Sequence, residues 1–481
     1  MLVVISDLHF EEEDHDVITD PATGRRIGRR RNFPVTAFLR WIRGLALEAA
    51  RNGGGREGGG RGVRELHLVL AGDIFDVNRT TLWFTPPGGP MPYDDPPAAG
   101  SPLEAKVLQV LRAIAGDERV EPVLRAFRLL ATQGRYVDDA GEEADFPADR
   151  IQVHYLPGNH DRLCNATPEI RRWVRETLGI APVSGDRFAN QLEFADPRVL
   201  VRHGHEYDRF NFSADLSKAK TIPARLPPEQ YDAPPFGDFT TVQVGSRLPL
   251  EFRRVHGEER ILATPLLEHV YERLLEFDDV RPQSAVVEFL LRDPDLADVP
   301  DREIWAVVEP VVRRILADVR RDPFLRGWLK RLEKQWEPDV FDAVQVVLDT
   351  SAWKLTRRLP LSLVRRLAGT GGGEGAPPVA FAAREEAIQG GRARYLVAGH
   401  THRPAVELAA ADRDGGRYYI DTGTWRNRIP TAPGRTGFGR VKALTYVILW
   451  STGEDRGDPP HPGKIDSFDY WSGYTQRFPA A

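Results

Sequence analysis

The chain has 481 residues, 41% hydrophobic and 28% charged, with 65 basic against 70 acidic side chains and a formal net charge of -5. This is the make-up of a soluble globular protein, long enough for one large domain or two to three ordinary ones, and its balance argues against a general duplex-nucleic-acid binder while leaving room for a local basic patch. The lone cysteine, Cys164, excludes an internal disulfide framework, and no apolar run reaches the roughly 18–20 residues of a membrane helix. A reducing, cytoplasmic setting is expected, since MLVVISD at the N-terminus lacks the basic start of a secretory signal and already reads as a strand.

In chain order, residues 2–6 form an apolar, β-branched run that stops at Asp7. The run LHLVLA (66–71) stops at Gly72-Asp73, 151–156 leads into Pro157-Gly158-Asn159-His160, 199–202 into His203-Gly204-His205, and 395–398 into Gly399-His400. Five predicted strands thus each end in a turn bearing polar or ionisable groups. Helical periodicity fills 35–50, 102–115, 123–132 and 169–178, so strands alternate with helices and an α/β core is expected, with ligands gathering at the strand ends. GGGREGGGRG (53–62) and GTGGGEGAPP (369–378) are low-complexity connections, and 85–102 is a Pro- and Gly-rich loop.

Between the fourth and fifth turns the rhythm changes. Ile304, Val308, Val311, Ile315 and Val319 recur at helical spacing, as do Leu266, Val270, Leu274 and Leu275. The pattern predicts a mainly helical insertion over 212–393, with its apolar stripes as its own core. Core segments 1–211 and 394–481 flank it.

Six of the twelve histidines fall in the five turns. Carboxylate, imidazole and amide oxygen suit Mn²⁺, Fe or Zn²⁺, and no thiolate is on offer. Residues two apart in extended chain point the same way, so Asp7 with His9, and His400 with His402, each present two ligands from one short piece of backbone. Any one of these turns by itself reads as a solvated loop end. Five in order after five strands make coincidence a poor account.

The set resembles the calcineurin-like metallophosphoesterase family, whose pattern is D-x-H, G-D-x-x-D, G-N-H-D/E, H and G-H-x-H; here the motifs stand at Asp7/His9, Gly72-Asp73/Asp76, Gly158–Asp161, His203 and Gly399-His400/His402. The resemblance implies a four-layer αββα sandwich with two divalent ions, Mn²⁺ foremost and Fe, Zn²⁺ or Ni²⁺ as options. It assigns Asp7, His9, Asp73 and His402 to one ion and Asp73, Asn159, His203 and His400 to the other. The implied reaction is in-line attack at phosphorus by a hydroxide shared between ions roughly 3.5–4 Å apart, with His160 as general acid and Asp76 orienting it. His205, Tyr207, Asp208, Arg209 and Asn211 are the candidate substrate contacts, Asp161 is structural, and Cys164 is a small buried residue.

The class of phosphoester follows less directly. Phosphoprotein phosphatases of the superfamily carry an arginine after G-D-x-x-D, where this chain has Val77. GDIFD, AGHTHRP and YYIDTGTW look more like the bacterial branch with UDP-2,3-diacylglucosamine pyrophosphatases, although the fourth motif reads His-Gly-His where those enzymes have His-Gly-Asp, and the helical insertion is foreign to them. The leading expectation is a hydrolase of a phosphodiester or pyrophosphate small molecule. A nuclease is the alternative, with GRRIGRRR (24–31) or the arginine-bearing helix face 313–331 guiding a strand, and a non-catalytic scaffold is the third. For both arginine stretches a solvated or carboxylate-balanced surface is the blander expectation. Oligomeric state is open.

Overall fold

The computed structural model describes residues 1–52, 62–181, 187–282, 285–292, 296, 298–332, 376–433, 437–451, 454 and 466–475. The low-complexity residues 53–61 and 369–375 lie outside these. The architecture is mixed α/β. Its strands are β1 (Leu2–Ile5), β2 (Ile18–Thr19), β3 (Arg26–Ile27), β4 (Val63–Ala71), β5 (Arg135–Val137), β6 (Glu143–Asp145), β7 (Ala148–Leu156) and β8 (Gln191–Ala195). They continue with β9 (Arg198–Arg202), β10 (Val280–Arg281), β11 (Tyr395–Ala398), β12 (Ala405–Asp412), β13 (Gly415–Asp421), β14 (Asn427–Pro430), β15 (Val441–Trp450) and β16 (Ser467–Thr475).

One sheet runs β10–β14–β15–β1–β4–β7 with β16 also on β15, and a second runs β12–β13–β11–β9–β8. β1, β4 and β7 are mutually parallel, and β11 is parallel to both β9 and β13. All four residues of β1 are buried, and their alternation explains the layering. Leu2 and Val4 join Val69, Ala71, Val447 and Leu449 against Val199, Val201, Val397 and Ile420, so the two sheets meet face to face. Val3 and Ile5 point the other way, into a cluster with Phe38, Val107, Phe127 and Ile170 from four helices. The outer face of the second sheet, through Leu200, Leu396 and Tyr419, packs on Ala382 and Ile388 of the short helices Pro378–Ala382 and Glu386–Gln389.

The four helices predicted before residue 180 form at Val35–Asn52, Pro102–Ala115, Glu121–Gln133 and Pro168–Leu178. Local chemistry sets their ends. Thr167 accepts the Ile170 N–H, Pro168 occupies the first turn, and Gly179 closes the last one at φ +73°.

The helix-rich interval is built differently from the expectation. Helix Asp301–Val319 buries Ile304, Val308, Val311, Ile315 and Val319 as its periodicity predicts. Those side chains belong to the same continuous buried cluster as the helices of the larger sheet, rather than to a core of their own. The interval also supplies β10, whose Val280 and Arg281 pair in parallel with Ile429 and Pro430 of β14. Among the described residues no helix is long and apolar enough to cross a membrane.

Candidate metal centre

The C-terminal ends of β1, β4 and β7 in one sheet, and of β9 and β11 in the other, carry the five turns. Backbone hydrogen bonds lock them together. The Asp7 N–H donates to the Gly72 carbonyl (3.0 Å), the His9 N–H to Asp73 (2.8 Å), and the Gly399 N–H to His203 (2.7 Å). Between the sheets, the His400 N–H donates to Asp7 Oδ2 at 2.9 Å. Asp161 accepts from the N–H groups of Ile74 (2.9 Å), Asp73 (3.2 Å) and Gly158 (2.5 Å), which ties the second turn to the third.

Backbone conformation marks the same residues. Among the described residues the non-glycine positions with positive φ are Asp7 (53°), His9 (46°), Asp73 (52°), His400 (71°) and His402 (57°). Such conformations cost on the order of 1–3 kcal/mol each and persist where surrounding structure enforces them, typically at functional sites. Two glycines make the convergence possible. A Cβ on Gly158 would lie 2.3 Å from Asp73 Oδ1 and 2.8 Å from His203 Nε2, and one on Gly399 would lie 2.2 Å from Asp7 Oδ2.

The side chains form three groups whose ligand atoms lie within 4.8 Å of one another: Asp7, His9 and His402; Asp73, His203 and His400; and His9, Asp76 and His160. Asp73 Oδ2 is 3.2 Å from His203 Nε2 and 3.7 Å from His9 Nε2, so this carboxylate stands between the first two groups. His203 Nδ1 is 2.9 Å from the Ala71 carbonyl and must donate there, which leaves the neutral ring's lone pair on Nε2, facing Asp73. His9 Nε2 and His402 Nε2 are 3.0 Å apart, and Asp7 Oδ1 is 3.3 Å from the latter.

Three buried atoms of this set have no hydrogen-bond partner: Asp7 Oδ1, Asn159 Oδ1 and His203 Nε2. The two oxygens carry lone pairs, as does His203 Nε2 in the neutral ring. Unpaired buried polar groups are costly, and lone pairs converging on one another call for a cation. The donor set, carboxylate, amide oxygen and imidazole without sulfur, fits hard or borderline divalent metals.

Proton affinities report the same electrostatics. Burial lowers His203, yet the Asp73 carboxylate outweighs it and raises the ring to about 10. Burial is likewise overcome at His160, where Asp76 and Asp73 raise it to about 10, and at His9, where hydrogen bonds to Asp7 and Asp76 raise it to about 9. His402 goes the other way, to about 3, through burial with Arg281 beside it. Burial favours a neutral Asp76, but His160 and His9 hold it well below the ordinary carboxylate range.

Compared with protein-family models and with curated proteins, the chain matches none.

The sequence-predicted residues divide as follows. Asp7, His9, Asp73, His203, His400 and His402 meet in the first two groups, while Asn159, between Gly158 and His160, buries its Oδ1 without a hydrogen-bond partner. His160 Nδ1 is 2.8 Å from Asp76 Oδ1, and His9 Nδ1 is 3.0 Å from Asp76 Oδ2. Asn211 accepts from Asn159 Nδ2 at 3.4 Å, and Asp208 Oδ2 is 3.1 Å from His400 Nε2. His205 is buried beside His203, Phe212 and Tyr231 and drops to about 4 by desolvation. Tyr207 turns away, donating to Glu385 at 2.7 Å and stacking on Phe381, while exposed Arg209 lies over the Phe210 ring. Cys164 is buried, as expected.

Sequence reasoning did not find Arg426 or Arg281. Arg426 Nη1 donates to Asp76 Oδ2 at 3.3 Å while its Nε donates to Asp279 at 2.8 Å. Its place directly after YYIDTGTW was the available signal. Arg281 Nη2 lies 3.1 Å from His402 Nδ1 and comes from an interval with no motif to mark it.

Proposed function

We propose that the protein is a dinuclear-metal-dependent phosphohydrolase of the calcineurin-like metallophosphoesterase type, built on a four-layer αββα sandwich and cleaving a phosphodiester or pyrophosphate bond in a small molecule. The observation that carries this reading is the coincidence, at Asp7, His9, Asp73, His400 and His402, of positive φ with convergent ligand atoms. Asp7, His9, Asp73 and His402 would hold one ion, and Asp73, Asn159, His203 and His400 the other. When bound, such ions polarise a phosphoryl oxygen and lower the pKa of a water.

The chain's own residues supply the rest. Asp76 engages His160 Nδ1, which fixes the ring and leaves Nε2 to carry a proton to the leaving oxygen. The Asp76 carboxylate on Nδ1 favours the protonated ring, the state a general acid needs. Asp161 holds the turns in register by accepting from four backbone N–H groups, those of Asp73, Ile74, Phe75 and Gly158. The nuclease alternative has less behind it, because the basic loop is committed elsewhere. Arg25 pairs with Glu268, Arg26 with Asp14, Arg29 with Glu272, Arg30 with Glu118 and Arg31 with Glu11, all within 2.9 Å. On the second arginine stretch Arg314 pairs with Glu251 at 3.1 Å and Arg313 with Glu309, while the Arg331 side chain lies outside the described residues.

Purified protein supplied with Mn²⁺ should hydrolyse bis-p-nitrophenyl phosphate and bind two ions per chain in calorimetry. Inactivity with every divalent metal tried would sink the reading. His160→Ala should slow a diester with an alkyl leaving group by about 10²–10⁴-fold and the nitrophenyl ester far less, because nitrophenolate leaves without a proton. Equal losses on both would remove the acid role.

A further inference from the structure

Arg281 reaches the turns from the helix-rich interval, outside every motif. Its Nη1 donates to the carbonyls of Val280 (2.9 Å) and Asp278 (2.5 Å), and its Nη2 faces His402 Nδ1 at 3.1 Å. The two acids next to it in sequence are engaged elsewhere: Asp278 with Arg79 at 2.7 Å and Asp279 with Arg426 at 2.8 Å. Among the described residues no carboxylate forms an ion pair with Arg281. Arg428 lies close by. Arg281 is in register with Pro430, and Arg428 stands two residues earlier on the same face of β14. Its Nη1 donates to the Tyr474 hydroxyl at 3.1 Å, and it too has no carboxylate partner among the described residues. Two neighbouring half-buried guanidinium groups, with Asp278 and Asp279 near Arg281 but paired to other arginines, repel one another and favour an anion between them.

The contact with His402 points the same way. A guanidinium has donors only. Once the Nε2 lone pair of His402 is given to a cation, the ring's proton sits on Nδ1, and the 3.1 Å contact sets donor against donor. Nη2 is then left to an anionic oxygen at the edge of the site.

Resting on the phosphohydrolase reading above, we propose that Arg281 is a substrate-binding residue that grips a non-bridging phosphoryl oxygen beside His402, and that with Arg428 it selects substrates carrying a second phosphate, a phosphoanhydride over a diester with uncharged groups. The probe is inorganic pyrophosphate against inorganic phosphate, titrated calorimetrically into the protein with and without Mn²⁺. Arg281→Gln should weaken pyrophosphate about 10–100-fold, the value of one or two charge-assisted hydrogen bonds, with Arg281→Lys recovering part of the loss. Arg428→Gln should weaken pyrophosphate by about 10-fold and leave phosphate nearly unchanged. Mn²⁺ stoichiometry should stay as in the wild type in all three. Unchanged pyrophosphate affinity in Arg281→Gln with both ions still bound overturns the proposal, as does a wild type that binds pyrophosphate no better than phosphate. Failure of the wild type to bind Mn²⁺ would instead remove the phosphohydrolase reading. The metal-free titration then decides whether Arg281 serves an anion site in its own right.

Discussion

Around Arg31, three guanidinium nitrogens donate at once, Nε to Glu11 at 2.7 Å, Nη2 to Asp16 at 2.9 Å and Nη1 to the Leu275 carbonyl at 3.2 Å. Around Asp73 and Asp7, equally buried, no arginine or lysine pairs with either carboxylate among the described residues; they face imidazoles, the Ser6 hydroxyl and the backbone N–H groups of His160 and His400. The first region buries charge and balances it with fixed cations, although Glu11 Oε2 and Glu12 Oε2 there also lack a hydrogen-bond partner. The second buries charge and leaves lone pairs on Asp7, Asn159 and His203 without a partner. The same residue types serve as cement in one place and as an open ligand set in the other, and what separates them is whether a permanent cation is built in.

That contrast can be broken by exchanging the roles. Asp73→Asn should reduce Mn²⁺-dependent diester hydrolysis by more than about 100-fold, the upper end of what loss of a mere outer partner of a metal ligand costs. Its urea midpoint without metal should fall only modestly, because the uncharged amide no longer pairs with the His203 ring but carries no burial penalty of its own. A metal-free Asp73→Asn protein that is destabilised by several kcal/mol would make Asp73 a structural residue. Arg31→Met should do the opposite. It strands Glu11 and Asp16 in the interior and should cost about 3–5 kcal/mol of stability, while the folded fraction keeps activity within a few-fold of wild type. A small stability loss with a large activity loss would assign Arg31 to the site.

Legibility in the sequence followed the same line. β1, β4, β7, β9 and β11 were readable because each is a short apolar run that stops at a polar, glycine-assisted turn, and the groups those turns bring together were readable from their order. β12 to β16 were not. β12 is an edge strand whose sequence AVELAAAD alternates weakly and leaves Leu408 exposed. β10 has two residues and gains its identity from Ile429 and Pro430, far along the chain. The helical stripe through Ile304 and Ile315 was legible as a stripe, but nothing in its period says which apolar surface it meets. The basic loop shows the limit most clearly. Its balance against residues 11–16 could be read locally, whereas Arg25 and Arg29 find Glu268 and Glu272 more than two hundred residues away. Those pairs clamp the helix-rich interval onto the core, and only folding brings them together. Arg281 beside His402 is hidden for the same reason.

The smallest effect expected tests the contrast through a histidine on the completed side. His15 Nε2 lies 3.0 Å from Asp16 and its Nδ1 3.2 Å from Glu12. Burial lowers its pKa, but the Asp16 and Glu12 carboxylates prevail and raise it to about 9, against an ordinary value of 6.5. A folded pKa above the unfolded one means that the protonated ring stabilises the fold. That stabilisation is fully present below about pH 6.5 and is lost as the pH rises through about 9. It amounts to on the order of 2–3 kcal/mol at its maximum. His9, His160 and His203 are also raised and give the wild type a slope of the same sign, so the difference between wild type and His15→Gln isolates the one ring. The difference in unfolding free energy should be largest near pH 6 and shrink towards zero by pH 10. Repeating the series with Mn²⁺ should flatten the part of the wild-type slope that comes from His9 and His203, because a ring whose lone pair is given to an ion no longer takes up the proton. The His15 difference should stay unchanged. A His15 difference that also vanished with Mn²⁺ would mean that the completed and the open sets of buried charge are one electrostatic unit.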